Sequence, residues 1–140
     1  MKKIIMDYNK LKEFRNNASG LRKELGLQVV EVSAGYARME MGIDERHVNP
    51  IGSVHGGAIF ALADSAGGTA AMSRGSFVTT VTGSINYLNP AINVNKLIAD
   101  TRELKAGKNI LVYDVAIRDE SGQVLAEARM TYYSLHKSFE

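Results

Sequence analysis

The sequence predicts an α+β fold in which a mostly antiparallel sheet of about six strands wraps around one long central helix. Six segments rich in β-branched and aromatic residues are separated by turn residues, and one long helical segment lies between the second and third of them. No internal repeat, low-complexity segment or linker interrupts the 140 residues. We therefore expect a single domain over residues 1–140.

The N-terminal residues 1–24 are predicted to form a helical segment packed on this domain. Tyr8, Leu11 and Phe14 recur at helical spacing, which predicts a short amphipathic helix over residues 7–16. From Leu27 onward the pattern is that of β-structure. The segment "LQVVEVSAGYARMEMGI" contains two β-rich runs about a Ser-Ala-Gly turn, which is typical of a hairpin.

The central helix is predicted over residues 55–73 because this segment is apolar almost all the way round. Between Ala58 and Met72 the polar side chains are only Asp64, Ser65 and Thr69. A helix that is hydrophobic on nearly every side is buried on nearly every side. We expect the sheet to cover part of this helix and a second copy of the chain to cover the rest.

Four further strands follow the helix. They are predicted in "FVTTVTGSINYL", "KLIADTRELKAG", "NILVYDVAIRD" and "VLAEARMTYYSL". The first of these ends at Asn89-Pro90, the next two are joined through Gly107, and "ESGQ" forms the last turn. A sheet of this kind needs a cover for one apolar face, and the single long helix supplies it.

Composition and charge exclude several classes of function. The chain has no cysteine, which removes disulfides, thiolate metal sites and a cysteine nucleophile, and which fits a cytoplasmic location. The net charge of +2 is too small to favour nucleic acid. The N-terminal apolar run is too short for a signal peptide, and no segment approaches the roughly 20 apolar residues that span a bilayer. We expect neither a nucleic-acid nor a membrane partner.

The start of the central helix has three features of a site for a developing negative charge. Gly52, Gly56 and Gly57 let the backbone approach a ligand closely. The N–H groups of the first turn have no partners within the helix and lie at the positive end of its dipole. Asn49 and His55 add side-chain donors. The alternative is a tight structural turn in which Asn49 caps the helix and His55 is a structural histidine.

Asp64 favours the functional interpretation. Burying a polar group without partners costs roughly 1–3 kcal/mol, and an unpaired charge costs more, so a structural role would need donors such as Ser65 or Thr69. His55 and Asp64 are separated by about 13–14 Å of helical rise and half a turn, so they cannot reach one carbonyl within one chain. A two-fold dimer with antiparallel helices would bring Asp64 of one subunit opposite Gly56 of the other.

Residues 49–64, which read N-x-x-G-x-V-H-G-G-x-x-x-x-L-x-D, resemble the signature of the hotdog-fold acyl-CoA thioesterases, in particular the phenylacetate-degradation (PaaI-type) group. The resemblance extends over roughly residues 25–135, through "SINYLNPA" and "KAGKNILVYDVAIRDESGQVLAEARMTYY". It implies a hotdog fold and hydrolysis of acyl- or aryl-CoA thioesters without a metal or other cofactor. It also implies homodimers, commonly paired into tetramers, that bind coenzyme A along a subunit interface.

The resemblance also implies a role for each site residue. The backbone N–H of Gly56, helped by Asn49, would polarise the thioester carbonyl. Asp64 of the neighbouring subunit would act as a general base on water or as a nucleophile. His55 would lie close to the thioester, and Thr80 would face the departing thiol. A further set is assigned to binding the substrate or coenzyme A: Val54, Gly57, Gly83, Arg102, Lys105 and Lys108.

Some of these assignments have structural alternatives. The three basic residues Arg102, Lys105 and Lys108 would meet the phosphates of coenzyme A, or they form a solvated hairpin end. Large apolar residues near the site line an acyl pocket or belong to the core; these are Phe60, Leu62, Met72 and Tyr87.

The sequence departs from the family pattern at three positions. Thr82 and Gly83 stand where relatives often carry an acidic and a larger apolar residue, and Asn89 stands where a basic residue often precedes the proline. We expect these changes to affect the acyl or coenzyme pocket and not the type of reaction. Gly83 predicts a bulge or a close ligand. The pair Gly67 and Gly68 predicts close helix–helix approach at the dimer interface, or room for an acyl group.

Three other functions compete with hydrolysis. A non-catalytic hotdog domain could bind acyl-CoA as a sensor, but Asp64 and the intact group of Asn49, His55 and Gly56 argue against it. A hotdog dehydratase or hydratase pairs a histidine with an acid at a different spacing. A hotdog scaffold that has lost its activity is the third alternative.

Overall fold

The computed structural model describes residues 6–139, and its strands form one antiparallel sheet in the order β1-β2-β4-β5-β6-β3. The strands are β1 (Leu27–Ser33), β2 (Tyr36–Gly42), β3 (Val78–Tyr87), β4 (Lys96–Ala106), β5 (Ile110–Asp119) and β6 (Val124–Ser134). The helices are α1 (Tyr8–Asn17), α2 (Leu21–Leu25) and α3 (Gly56–Met72), with a 3-10 turn at Glu45–His47. The predicted six-stranded antiparallel sheet with one long central helix is confirmed.

The long helix α3 packs against all six strands. The alternation of a half-buried strand is regular in β5, where Leu111, Tyr113, Val115 and Ile117 are all buried. A stripe of α3 at i, i+3, i+4 and i+7 is less buried and consists of Gly57, Phe60, Ala61 and Asp64. One chain therefore leaves one face of its central helix partly uncovered.

Strand β3 forms an edge of the sheet. It pairs with β6 on one side, and on its other side no strand of residues 6–139 pairs with it. It is 10 residues long and carries no charged side chain, and Val81 at its middle is 51% exposed. A long, uncharged edge of this kind is a template for pairing with another strand.

The N-terminal segment packs on the domain through α1, in the region where the sequence predicts a helix over residues 7–16. The Asp7 carboxylate caps α1 by accepting a hydrogen bond from the Lys10 N–H at 3.1 Å. Leu11 is fully buried, and the ring of Phe14 packs edge-on against the ring of Phe77, the residue before β3. The second helix, α2, ends at the left-handed Gly26 and runs one residue past the predicted limit of the segment at residue 24.

None of the helices within residues 6–139 is both long enough and apolar enough to cross a membrane.

Gly67 and Gly68 are explained by contacts within the chain. A Cβ atom on Gly67 would overlap the hydroxyl of Tyr132, a buried residue of β6, and would lie 3.0 Å from the ring Cζ. The predicted helix–helix approach at a dimer interface is therefore wrong for Gly67, because Tyr132 of the same chain fills that space. A Cβ atom on Gly68 would lie at an ordinary 3.6 Å from Tyr132 and from Arg15.

We expect Gly67→Ala to lower the free energy of unfolding by about 1–3 kcal/mol, because Tyr132 is buried and has no room to move away from the new methyl group. Urea denaturation followed by circular dichroism measures this change. Gly68→Ala is the matched control, since the same methyl group meets only ordinary contacts there. It should be neutral, or stabilising by up to about 1 kcal/mol through helix propensity. Equal effects at the two positions would contradict the steric explanation.

Candidate active site

A cavity of about 470 Å³ lies beside the partly uncovered face of α3. Its walls come from α1, α2, α3, β1, β3 and β6. Of the residues that the sequence assigns to the site, Gly57, Asp64 and Thr80 line it. A larger groove of about 760 Å³ runs over β3 to β6, but it is lined by polar and charged side chains such as Asp100, Asp114 and Arg129 and does not include Asp64.

The Asp64 carboxylate is half-buried, and Thr80 holds one of its oxygens. The Thr80 hydroxyl donates a hydrogen bond to Asp64 Oδ1 at 2.8 Å. The Tyr132 hydroxyl and the charges of Arg15 and Arg22 also act on this carboxylate. The donors that a structural role would use, Ser65 and Thr69, do not contact the carboxylate, because Thr69 Oγ1 donates to the Ser65 carbonyl at 2.7 Å. The carboxylate is therefore less buried in one chain than the sequence predicts, and it is available to a ligand.

Tyr132 fixes the backbone of Asp64. Its hydroxyl donates a hydrogen bond to the Asp64 carbonyl oxygen at 2.7 Å, in the middle of α3. Burial raises the pKa of the Tyr132 phenol, so the phenol keeps the proton that this hydrogen bond needs. The close packing of Tyr132 against Gly67 thus places Asp64 relative to the sheet.

His55, and not Asn49, caps the N-terminus of α3. His55 Nδ1 accepts a hydrogen bond from the Gly57 N–H at 2.8 Å, so the other ring nitrogen carries the proton of a neutral ring. The N–H of Gly56 has no acceptor within the described part of the chain, while its carbonyl accepts a hydrogen bond from the Tyr87 hydroxyl at 2.8 Å. Of the two glycine N–H groups in the first turn, only that of Gly56 is free for an incoming oxygen.

Asn49 organises the turn that leads into α3. Its Oδ1 accepts hydrogen bonds from the N–H groups of Ile51 and Ser53, each at 3.1 Å, and its Nδ2 donates to Ser53 Oγ at 2.9 Å. Gly52 adopts a φ of +88°, which a glycine allows, and its N–H donates to the Asn49 carbonyl. One amide hydrogen of Asn49 is left for a ligand.

Comparison with known proteins identifies the family. Residues 51–126, more than half of the chain, match the sequence profile of the family described as "Thioesterase superfamily". The chain belongs to this superfamily. Acyl-coenzyme A thioesterase PaaI of Escherichia coli K12 is 30% identical over 104 residues, which is 74% of each chain.

Two solved structures resemble this chain. The E. coli PaaI protein from the phenylacetic acid degradation operon aligns with a TM-score of 0.88 at 24% identity, over 94% of this chain and 95% of that one. The smu.793 protein of Streptococcus mutans UA159, solved bound to acetyl CoA, aligns with a TM-score of 0.80 at 28% identity. The alignment covers 88% of this chain and 99% of that one. The predicted hotdog fold and PaaI-type thioesterase family are thereby confirmed. The named relatives support hydrolysis of coenzyme A thioesters in general.

Several residues assigned to the thioesterase site lie outside the Asp64 cavity. Val54 is buried in the core before α3, beside a separate small cavity. Gly83 follows the predicted bulge, which interrupts the β3–β6 register between Thr80 and Thr82. A Cβ atom at Gly83 would lie 2.7 Å from Phe60 and Met130, so neighbouring side chains account for this glycine without a ligand.

The three basic residues assigned to coenzyme A phosphates are also remote from Asp64 in one chain. Arg102 donates to the Asp114 carboxylate at 2.9 Å in the groove over β3 to β6. Lys105 lies at the exposed end of β4, and Lys108 lines a different cavity with Arg74, His136 and Lys137. Contact of these three residues with coenzyme A stays a prediction.

Sequence reasoning missed Arg15, Arg22 and Tyr132, all of which line the Asp64 cavity. A signal for Arg15 was available, because it lies one turn after Leu11 and hence on the face of α1 that packs on the domain. Among the four apolar candidates, Phe60 and Met72 line the cavity, Leu62 belongs to the core, and Tyr87 is half-exposed at the start of α3.

Proposed function

We propose that this protein hydrolyses acyl- or aryl-CoA thioesters to the free acid and coenzyme A. Asp64 activates water or attacks the thioester carbonyl itself, and the Gly56 N–H of the partner subunit polarises the carbonyl oxygen. The observation that carries the proposal is the Asp64 carboxylate, which lines a cavity and has one oxygen held by the Thr80 hydroxyl.

This chemistry needs only what the chain supplies. In the general-base route, the water oxygen attacks the carbonyl carbon while its proton passes to Asp64. The carbonyl oxygen becomes an oxyanion, which the Gly56 N–H stabilises at the positive end of the α3 dipole. The oxyanion then collapses, the C–S bond breaks, and the coenzyme A thiolate departs and takes up a proton. No metal or further cofactor enters the proposed reaction.

A dimer completes the proposed site. Asp64 and Gly56 lie eight residues apart on α3, about 12 Å of helical rise, so the two groups act on one carbonyl only if they come from different subunits. The partly uncovered stripe of α3 and the unpaired edge of β3 are the surfaces that such a dimer would cover. Pairing of dimers into tetramers, a cytoplasmic location, and the roles of Asn49 and His55 at the thioester belong to the same proposal.

A thiol-release assay tests the function. The purified protein is mixed with a panel of acyl- and aryl-CoA esters and a chromogenic thiol reagent, and we expect steady release of coenzyme A from at least one ester. Tight binding without release on any ester would favour the non-catalytic acyl-CoA-binding domain. Addition of water to an enoyl-CoA without thiol release would favour a hydratase.

A further inference from the structure

The Asp64 cavity carries two guanidinium groups that the proposed reaction does not use. Arg15 reaches in from α1 and Arg22 from α2. Between them and Asp64 the lining is largely apolar and includes Phe60, Met72 and Phe77. A pocket for a purely hydrocarbon acyl group would have no use for two cations.

Arg15 is fixed in place, and Arg22 is not. Arg15 Nε donates to Thr69 Oγ1 at 3.0 Å, and Nη2 donates to the Ser65 carbonyl at 3.2 Å; its weakest contact is Nη1 to the Met72 sulfur at 3.6 Å. These bonds engage one hydrogen of each nitrogen, and the guanidinium has further N–H groups to donate. Arg22 makes no hydrogen bond or ion pair with any residue in 6–139.

Neither arginine forms an ion pair within the described chain, and Asp64 is the carboxylate whose charge acts on both of them. No carboxylate lies within ion-pair distance of Arg15 or Arg22 among residues 6–139. Burial, helped by the nearby charge of Arg22, lowers the pKa of Arg15 to about 10. Two guanidinium groups and the Asp64 carboxylate sum to one positive charge in a half-enclosed space, which is costly unless an anion balances it.

We propose that Arg15 and Arg22 select acyl groups that carry a carboxylate at the end remote from the thioester. This inference rests on the proposed hydrolase function and names its substrate class. The Arg15 bond to Thr69 lies five residues beyond Asp64 on α3, about 7.5 Å of rise, so the anion would sit several bonds from the reacting carbon. A guanidinium group binds a carboxylate through two parallel hydrogen bonds, and the apolar lining suits the methylene groups between the two ends.

The test compares adipoyl-CoA with hexanoyl-CoA, which have acyl chains of equal length and differ in the terminal carboxylate. The wild type should have the higher kcat/KM for adipoyl-CoA. Arg22→Met should lower the adipoyl-to-hexanoyl ratio roughly tenfold to hundredfold, the effect of removing a hydrogen bond to a charged group. Arg22 makes no bonds that the fold needs, and Arg22→Lys should restore part of the ratio. Lys23→Met, which removes the same charge from the next, exposed position of α2, should leave it unchanged.

Two further arms identify the source of the anion and separate this proposal from hydrolysis. Adipoyl and hexanoyl thioesters of N-acetylcysteamine lack every phosphate of coenzyme A, so an Arg22 effect that persists on them supports the acyl carboxylate. An effect confined to the coenzyme A esters assigns the arginines to a phosphate and overturns the proposal. Non-hydrolysable thioether analogues of the two CoA esters, titrated calorimetrically, report the same preference even if the protein hydrolyses neither ester.

Two other outcomes would also overturn the proposal. One is a wild type that prefers hexanoyl groups in both turnover and binding. The other is an Arg22→Met variant that loses activity equally on both esters, which would mean that the arginines act on Asp64 and not on the substrate. Arg15→Met repeats the experiment at the anchored position, with its folding checked by circular dichroism.

Discussion

Asp64→Asn is expected to lower kcat for CoA thioester hydrolysis by about 10²- to 10⁴-fold, the range that a positioned general base contributes. The amide cannot accept the proton of the attacking water, and it is too weak a nucleophile to attack the thioester. The amide oxygen can still accept the Thr80 hydrogen bond at the same place, so the geometry of the site should survive. Thiol release at saturating substrate measures the change.

The same variant should fold as well as the wild type. The Asp64 side chain is half-buried, and an asparagine there can still accept the Thr80 hydrogen bond. We therefore expect the unfolding free energy of the protein to change by no more than about 1 kcal/mol. Glu127→Gln makes the same chemical change at an exposed position of β6 and should leave kcat unchanged. An Asp64→Asn variant that unfolds would show that the carboxylate is structural, and one that folds and keeps its activity would show that Asp64 is not the catalytic group.

The fold could be predicted because its strongest signals are local and periodic. The apolar run that becomes α3 is continuous from Gly56 to Met72, and the predicted helix exceeds it by one residue at each end. Among the strands after it, β5 shows the regular alternation of a half-buried strand, whereas the burial pattern of β3 does not. The turns at Gly35 and Gly122 also lie where the sequence predicts them, since both have the positive φ that favours glycine.

The site was predictable only in part, because several of its contacts join distant segments. Arg15 reaches Thr69 across 54 positions of sequence, and Tyr132 reaches Asp64 across 68. The prediction of the residue that caps α3 was wrong for a different reason. Asparagine is among the best N-cap residues. The Asn49 side chain, however, accepts hydrogen bonds from its own turn, and His55 caps the helix. Local propensity could not decide between these two uses.

Gly56→Pro is expected to reduce kcat about 10²- to 10³-fold relative to Gly56→Ala, the loss that follows removal of one oxyanion donor. Proline has no N–H, yet it is favoured at the first position of a helix, where that N–H makes no helical bond. His55 already has the extended backbone, with φ −60° and ψ 132°, that a following proline requires. The helix should therefore form normally in the proline variant.

Gly56→Ala is the matched control because both variants place a Cβ atom against Tyr87, at 3.1 Å from its ring. Tyr87 is 51% exposed and can move away from that atom, so the cost in stability should be small and shared. The two variants differ mainly in the backbone N–H. Equal kcat values for proline and alanine would show that the Gly56 N–H does not contact the thioester oxygen.

Combining the two changes in different subunits tests whether the site is shared. A heterodimer of an Asp64→Asn chain and a Gly56→Pro chain can be isolated through two different affinity tags. If each site takes Asp64 from one subunit and Gly56 from the other, one of the two sites keeps both groups, and the heterodimer should regain about half of the wild-type rate. If both groups came from the same chain, each site would carry one defect and the heterodimer would stay inactive. The separation of the two groups along α3 favours recovery, because a rise of about 12 Å is too far for one carbonyl to bridge.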